Sequence, residues 1–324
     1  MTSKASIGIL GGAGYTGGEL IRLLLRHPRA EIKFVFSRSK AGQPLYSTHH
    51  DLLGVTDLLF TGEESADRFR SVDFLFLALP HGESKVFLEK FAIPGSVRVI
   101  DLSNDFRHKL PWIYGLPEQN RNAIKTANRL ANPGCFATAI ELALLPLALA
   151  KQLNQVTVTG ITGATGAGQS LSETSHFSFR DNNIQAYKTL THQHVPEIET
   201  VLNTASQGTG IKVSFIPWRG DFSRGIFTSS VVQSGLTLKQ ARSLYQETYQ
   251  SHPFVSVSES PIHLKAVVNT NRAQLEIQGG DGQLVIHSVI DNLLKGASGQ
   301  AVQNFNLMMG YPESEGLDLK GSAF

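Results

Sequence analysis

The stretch that most constrains the fold lies near the start of the chain. Residues 6–10 are short and apolar, the pattern of a buried parallel strand. They run directly into Gly11-Gly12-Ala13-Gly14-Tyr15-Thr16-Gly17-Gly18. Residues 19–26 follow with a helical pattern that stops before Pro28. Strand, glycine turn and helix in that order place a phosphate at a helix N-terminus. The spacing is Gly11-x-x-Gly14-x-x-Gly17 rather than the commoner G-x-G-x-x-G. Taken alone it would also suit a plain glycine turn; in this setting it reads as a dinucleotide-binding loop.

The next strand, 31–36, ends in Ser37-Arg38-Ser39. A carboxylate is expected there when the cofactor is NAD, to hold the ribose 2′-hydroxyl. An arginine between two hydroxyls favours a 2′-phosphate instead, through charge-assisted hydrogen bonds; a solvated loop arginine is the other reading. Residues 72–79 form a further buried strand closed by Pro80-His81-Gly82, residues 84–91 its helix, and 97–102 another strand running into Ser103-Asn104-Asp105-Phe106-Arg107. Strands alternating with helices over the first 130 residues predict an α/β, doubly wound parallel sheet. Ligands in such sheets sit outside the carboxyl ends of the strands. Gly12, Pro80, Ser103 and the turn before Cys135 are therefore expected on one rim.

Cys135 is the sole cysteine, in Asn132-Pro133-Gly134-Cys135-Phe136-Ala137-Thr138, followed by the apolar run 140–150. This reads as a turn delivering a thiol to a helix N-terminus, where N–H groups and the helix dipole favour the thiolate. A free cysteine can equally be a small buried apolar residue. The rim argument favours a thiol that faces a cofactor.

After the helix at 136–150 the character changes. Residues 156–161 read as a strand, and 162–168 (TGATGAG) as a glycine-rich loop, either a flexible linker or a backbone cradle for an anion. Residues 211–216, 225–232, 264–269, 273–277 and 283–290 all have strand character. Gly279-Gly280-Asp281-Gly282 joins the last two as a hairpin signal. Thr237-Leu238-Lys239-Gln240 is a capping box opening a helix to about residue 250. A final helix is expected from Ala297. The expected second domain is thus α+β, catalytic and dimerising, with a mostly antiparallel or mixed sheet. Its expected span is 135–297; the nucleotide domain takes 1–134 and is completed by 298–324.

Composition bounds the function classes. Charged residues are 17% and hydrophobic ones 41%, with a net charge of +2. That balance gives no electrostatic case for nucleic acid or an anionic membrane. One cysteine excludes an intrachain disulfide and a cysteine-rich metal site. No apolar run reaches the length of a membrane span, and the start is too short in apolar residues for a signal peptide. A cytoplasmic location is expected. Of eleven histidines, His192 and His194 stand out in Thr191-His192-Gln193-His194-Val195-Pro196-Glu197-Ile198. They could be metal ligands, a catalytic imidazole or surface residues; no third ligand of a recognisable motif accompanies them, so no metal is expected.

Together these residues resemble the N-acetyl-gamma-glutamyl-phosphate reductase family, acyl-phosphate reductases of arginine biosynthesis related to aspartate-semialdehyde dehydrogenase. The resemblance is carried by GGAGYTGGEL at 11–20, SRSKAG at 37–42, LPHG at 79–82, DLSNDFR at 101–107, YGLPE at 114–118, NPGCFAT at 132–138, TGATGAG at 162–168, HQHVPEI at 192–198, SRGIF at 223–227 and DNLLKGASGQAVQNFNLMMG at 291–310. These run in family order over nearly the whole chain. The resemblance implies Cys135 as nucleophile and His192 as acid/base. It implies NADP(H) held by Gly11, Gly14, Tyr15, Thr16 and Gly17, with Ser37 and Arg38 at the adenosine phosphate and Pro80, Gly163 and Asn292 completing the set. Asn292 and the Gly299-Gln300 region are expected near the nicotinamide. Arg107, Asn132, His194, Glu197 and Arg224 would surround a small acyl-phosphate substrate. Phe136 is a mild departure, since the family has tyrosine there as often as not. Residues 173–188 are less typical and lie where the acyl group would be recognised. A succinyl group, with a second carboxylate answered by Arg180 and Lys188, is the alternative to acetyl.

The implied reaction is NADPH-dependent reduction of an N-acyl-glutamyl 5-phosphate to the semialdehyde through a thioester, by a homodimer or homotetramer. The rivals are an aspartate-semialdehyde or aminoadipate-semialdehyde dehydrogenase, and a non-catalytic NADP-binding sensor.

Overall fold

The structure, a computed structural model, describes residues 4–280 and 282–322, with the backbone alone at 64–66. Two compact units emerge, Met1–Pro133 with Ala297–Asp318, and Gly134–Gly296 with Leu319–Phe324. The chain thus returns to the first unit only over Ala297–Asp318; residues 319–322, expected to complete that unit, belong to the second, where Ser322 accepts from Asn269 at 2.7 Å.

In the first unit the strands are β1 (Ala5–Leu10), β2 (Ala30–Phe36), β3 (Phe60–Thr61), β4 (Phe74–Leu77), β5 (Arg98–Asp101), β6 (Ile113–Tyr114) and β7 (Arg129–Ala131). They form one sheet in the order β3-β2-β1-β4-β5-β7-β6, and every pairing is parallel. The helices of this part are α1 (Tyr15–Leu25), α2 (Glu83–Lys90) and α3 (Pro117–Thr126). The central strands are apolar on both faces because helices cover both faces of a parallel sheet; β4 reads Phe-Leu-Phe-Leu with all four buried. Strand order reverses at β1, with β2 on one side and β4 on the other. That is where an open α/β sheet leaves a crevice at its carboxyl ends.

The second unit opens on α4 (Cys135–Leu149), which is buried from Phe136 to Ala148. Its sheet holds β8 (Gln155–Thr162), β9 (Gln185–Ala186), β10 (Lys212–Arg219), β11 (Ile226–Gln233), β12 (Val255–Ser258), β13 (Ala273–Gly280) and β14 (Gln283–Ile290). The order is β12-β13-β14-β11-β8-β10-β9. Parallel pairs β10–β8 and β12–β13 sit among antiparallel ones, so the sheet is mixed. Strands β8 and β10 alternate exposed and buried along most of their length, as expected of a sheet with one covered face. Helices α5 (Phe177–Arg180), α6 (Val195–Ala205) and α7 (Leu238–Tyr249) complete this unit. The capping box of α7 forms as expected, with Thr237 and Gln240 exchanging hydrogen bonds of 3.3 and 2.9 Å.

After a wide π-helical turn at Leu294–Ser298 comes α8 (Gly299–Met309), which packs in the first unit with α1 and α3.

Three expectations are corrected. Residues 264–269 are not a strand: Val267 and Val268 both donate to the Leu264 carbonyl at 3.0 Å, and Asn269 adopts φ 66°. The strand preference of Val267 and Val268 is overridden there by local turn hydrogen bonds. The short strands β3, β6, β7, β9 and β12 were not expected. The loop 162–168 is neither a linker nor an anion cradle. Gly163, Ala164 and Thr165 donate to the carbonyls of Gly225, Phe222 and Ser223 at 2.9, 2.8 and 3.1 Å, so those N–H groups are occupied. In the hairpin β13–β14, Gly280 pairs with Gln283; Asp281 of the expected turn lies outside the described residues. Among the described residues no helix is long and apolar enough to cross a membrane.

Candidate active site

The glycine loop of the first unit has the geometry of an anion cradle. Gly11 has φ +78°, and a Cβ there would lie 2.2 Å from the Ala78 carbonyl oxygen. Only glycine therefore lets the exit of β1 lie against the exit of β4. A Cβ on Gly17 would meet the Gly11 carbonyl at 2.3 Å, which locks α1 onto the turn. At Gly14 a Cβ would meet only the Gly11 carbonyl, at 3.6 Å, so the surface there is open. Gly14 caps α1 with no side-chain hydrogen bond, and the first turn holds no acidic residue. The N-terminal N–H groups and dipole of an eleven-residue helix thus meet no competing carboxylate. These residues fit a dinucleotide pyrophosphate.

Tyr15 is 39% exposed at the start of α1. The Thr16 carbonyl accepts from the Ser298 hydroxyl at 2.8 Å. Ser37 is buried at the end of β2, its N–H on the Thr61 carbonyl at 3.0 Å. Arg38 is exposed, 3.2 Å from a Glu83 oxygen and 3.6 Å from one of Glu63. Exposed pairs of this kind are weak, so Arg38 can turn to a phosphate. Pro80 is exposed after β4, and its carbonyl accepts from Glu83 N–H at 3.1 Å. Arg107 is buried and donates to the carbonyls of Asn132 and Leu102 at 3.0 and 3.2 Å. Asn132 donates to the Ala297 carbonyl at 3.0 Å and accepts from Asn304 at 3.1 Å. Within the first unit both residues shape the turn that leads out of β7.

In the second unit, Cys135 is the first residue of α4 and is partly accessible, while the residues after it are buried. A thiol serving as a core residue would be buried with them. Gly134 caps the helix without a side-chain hydrogen bond and no acidic residue lies in the first turn. The Gly134 N–H itself donates to Glu197 Oε1 at 2.8 Å, and Glu197 is buried at the start of α6. A carboxylate on α6 thus holds the turn that presents the sulfur. Gly296 approaches from the other side: a Cβ there would lie 2.8 Å from the Cys135 Cβ.

His192 is buried in an aromatic box. Its ring lies 5.6 Å from Phe136, 5.4 Å from Phe215, 5.8 Å from Tyr187 and 4.7 Å from His194. Burial, aided by the Lys188 charge, lowers its pKa to about 4. It is therefore neutral near pH 7. The His194 N–H donates to His192 Nδ1 at 3.2 Å, which places the ring proton on Nε2. His194 caps α6 and is buried.

Tyr187, absent from the sequence expectations, links the two catalytic candidates. Its ring meets His192, and burial, followed by the charge of Cys135, raises its pKa, opposed by Arg219. No sequence motif marks it. The structure also gives Arg224 a task of its own: it forks onto Asp291 with bonds of 3.0 and 3.1 Å. Asn292 likewise binds within the fold, accepting from Gly225 N–H at 2.7 Å and donating to Thr165 at 3.0 Å. Lys188 is exposed and donates to Gln193 at 2.6 Å. Among the described residues no group of three or more His, Cys, Asp or Glu could hold a metal ion.

Comparison with known proteins places this arrangement in context. The semialdehyde dehydrogenase NAD binding domain matches residues 6–127, and the semialdehyde dehydrogenase dimerisation domain matches 135–292. N-acetyl-gamma-glutamyl-phosphate reductase of Parabacteroides distasonis is 50% identical over 98% of this chain and 99% of its own. The protein of the same name from Flavobacterium johnsoniae is 47% identical over the same shares. Among solved structures, aspartate semialdehyde dehydrogenase II of Vibrio cholerae has a TM-score of 0.78 at 16% identity, covering 95% of this chain and 99% of its own. The aspartate semialdehyde dehydrogenase of Candida albicans, solved with NADP, scores 0.68 at 14% identity over the same shares. At such identities the structural likeness speaks for the fold.

Proposed function

The chain belongs to the N-acetyl-gamma-glutamyl-phosphate reductase family, and from that membership we propose that it reduces an N-acyl-L-glutamyl 5-phosphate to the 5-semialdehyde and phosphate, a step of arginine biosynthesis. The observation that carries the reading is an accessible cysteine at the start of a buried helix, sharing Tyr187 and Phe136 with a neutral, oriented His192.

Cys135 is the nucleophile. The N-terminus of α4 favours its thiolate. Sulfur attacks the acyl carbon, the carbon–oxygen bond to phosphate breaks, and phosphate leaves with the electron pair. A thioester on Cys135 remains, a better hydride acceptor than a charged, solvated acyl group. When bound, NADPH supplies the hydride to this thioester. The tetrahedral oxyanion then collapses, restores the carbonyl and expels the Cys135 thiolate. The proton consumed in the overall reaction ends on phosphate. His192 serves as a donor: with its proton on Nε2 it can hydrogen-bond the developing oxyanion, alongside N–H groups at the start of α4. Acting as base at Nε2 would require the other tautomer and loss of the His194 N–H bond. Glu197 and Gly296 hold the sulfur in place.

The residues that would hold a pyrophosphate are Gly11, Gly14 and Gly17, with Tyr15 and Thr16. Ser37 and Arg38 would hold the 2′-phosphate and so favour NADPH over NADH. Arg107 and His194 are the substrate-contacting candidates, while Glu197 acts through the Cys135 turn. The open face of the second sheet is the oligomer interface. Ile161, Trp218 and Phe227 line an apolar depression there of about 280 Å³, and the matching domain model is a dimerisation domain. The assembly is a homodimer or a tetramer built from it.

The test is phosphate-dependent NADP reduction with N-acyl-glutamate 5-semialdehyde against aspartate and aminoadipate semialdehydes. Activity confined to the first supports the reading, and Cys135→Ala abolishes turnover while NADPH still binds. A Cys135→Ala protein that turns over would exclude the covalent route.

A further inference from the structure

Asp291 follows β14 and is fully buried. Its Oδ2 accepts from Arg224 Nε at 3.0 Å and from the Asn269 N–H at 2.8 Å. Its Oδ1 accepts from Arg224 Nη2 at 3.1 Å and from the N–H groups of Leu293 and Leu294 at 2.8 and 3.0 Å. One carboxylate thus receives a guanidinium fork and three backbone N–H groups. It ties together the entry of β11, the turn at 264–269 and the segment that leaves β14.

The same residue reaches the cysteine through its backbone. The Gly296 N–H donates to the Asp291 carbonyl at 2.9 Å, a bond of the wide turn that follows β14. A Cβ on Gly296 would lie 2.8 Å from the Cys135 Cβ and 3.3 Å from that carbonyl oxygen. Gly296 is therefore wedged between Asp291 and Cys135. The neighbours hold the same register, since Asn292 accepts from the Gly225 N–H at 2.7 Å. A fully buried carboxylate keeps its place only with charge-assisted partners, and a bidentate arginine is the strongest of these. Without Arg224 the carboxylate keeps its burial and loses its counter-charge, so the turn at 291–296 shifts. Gly296 moves with it, and the contact with Cys135 leaves no slack to absorb the movement.

We propose that Arg224 and Asp291 are positioning residues for the Cys135 thiol: the fork sets the turn at 291–296, and the turn sets the sulfur at the start of α4 through Gly296. This deepens the reductase reading above and rests on it for the role of Cys135. The other task for Arg224 is to bind a substrate anion. Its Nε and Nη2 are already on Asp291, so taking an anion into that fork would strip the counter-charge from a buried carboxylate.

The experiment reads two quantities in the full chain. Cys135 is the sole cysteine, so iodoacetamide alkylation reports on it alone and needs no substrate. Phosphate-dependent NADP reduction with N-acetyl-L-glutamate 5-semialdehyde gives kcat and KM. Arg224→Leu is expected to lower kcat and the alkylation rate together, each tenfold or more, because a sulfur displaced from the helix N-terminus is less of a thiolate. KM for the semialdehyde and for phosphate stays within threefold. Asp291→Asn falls in step, and Arg224→Lys, which keeps the charge but not the fork, recovers part of both losses. A tenfold rise in either KM with wild-type alkylation overturns the proposal and makes Arg224 a substrate contact. Wild-type kcat and alkylation in Arg224→Leu overturn it as well. Should Arg224→Leu not fold, Arg224→Lys decides: slower alkylation with unchanged KM supports the positioning role, and wild-type alkylation overturns it. A wild type inactive on the semialdehyde removes the reductase reading, while the alkylation rates still decide whether the pair positions the thiol.

Discussion

His192 is held in its neutral form by the same burial that shapes its site. Its pKa falls from 6.5 to about 4. The unfolded chain binds a proton between those values and the folded chain does not, so stability rises with pH across that window and is lost as pH drops from about 6.5 towards 4. A shift of that size is on the order of 3 kcal/mol. His27 and His49, also lowered by burial, act in the same direction. Asp101, raised by burial to about 6, acts in the opposite one. Urea unfolding of wild type and His192→Gln between pH 7 and pH 4.5 isolates the His192 share: the wild type loses more stability on acidification, by about 2–3 kcal/mol. Parallel curves would mean that His192 is not held neutral. The residue choices were only partly legible in the sequence. Cys135 and His192 lie in stretches with their own signals. Tyr187 and Arg219 do not, because their relevance comes from β10 and the 185–192 segment meeting in space. Arg224 is forked onto Asp291, 67 positions on, a pairing that nothing in the sequence announced.

At the scale of elements, the geometry in which α4 presents Cys135 comes from two neighbours rather than from its own sequence. Glu197, from α6, holds the Gly134 N–H, and Gly296 leaves room for the sulfur-bearing carbon. Gly296→Ala places a methyl 2.8 Å from the Cys135 Cβ and 3.2 Å from its Cα. Neither atom can yield without moving the start of α4. The variant is expected to lose about 100-fold or more in kcat, because a displacement near 1 Å costs about that much, while binding NADPH normally; steady-state kinetics with a nucleotide titration checks this. Near-normal kcat would show that the turn is slack. The glycine loop belongs to this scale as well. Arg38→Ala is expected to raise KM for NADPH by tenfold or more and leave KM for NADH unchanged, read from initial rates with both nucleotides. Elements with a local signal were readable beforehand: the strand–glycine–helix start, the Thr237–Gln240 capping box, the hairpin strands. Residues 264–269 misled because strand-forming residues there make turn hydrogen bonds, and β12 escaped because four residues carry too little periodicity.

At the scale of the whole molecule, two sheets of different construction divide the work. The parallel sheet offers carboxyl ends and a helix N-terminus to a nucleotide, and the mixed sheet carries the cysteine cluster on its covered side. Its other side exposes Val231 at 37%, close in β11 to Phe227 of the apolar depression. Contiguous apolar surface of this kind marks an association site. Val231→Asp adds a charge at an exposed position, so it should leave the fold intact and shift the protein towards monomer in light scattering. An unchanged mass would place the interface elsewhere.

In the proposed mechanism, acyl transfer to Cys135 precedes reduction. Mixing the protein with N-acyl-glutamyl 5-phosphate in the absence of NADPH, quenching in acid and reading intact mass tests it directly. Release of one phosphate per chain is expected, with one acyl group on the peptide containing Cys135 that is discharged to the semialdehyde when NADPH is added. No acyl adduct and no phosphate burst, in a preparation that turns over fully with NADPH, would contradict it.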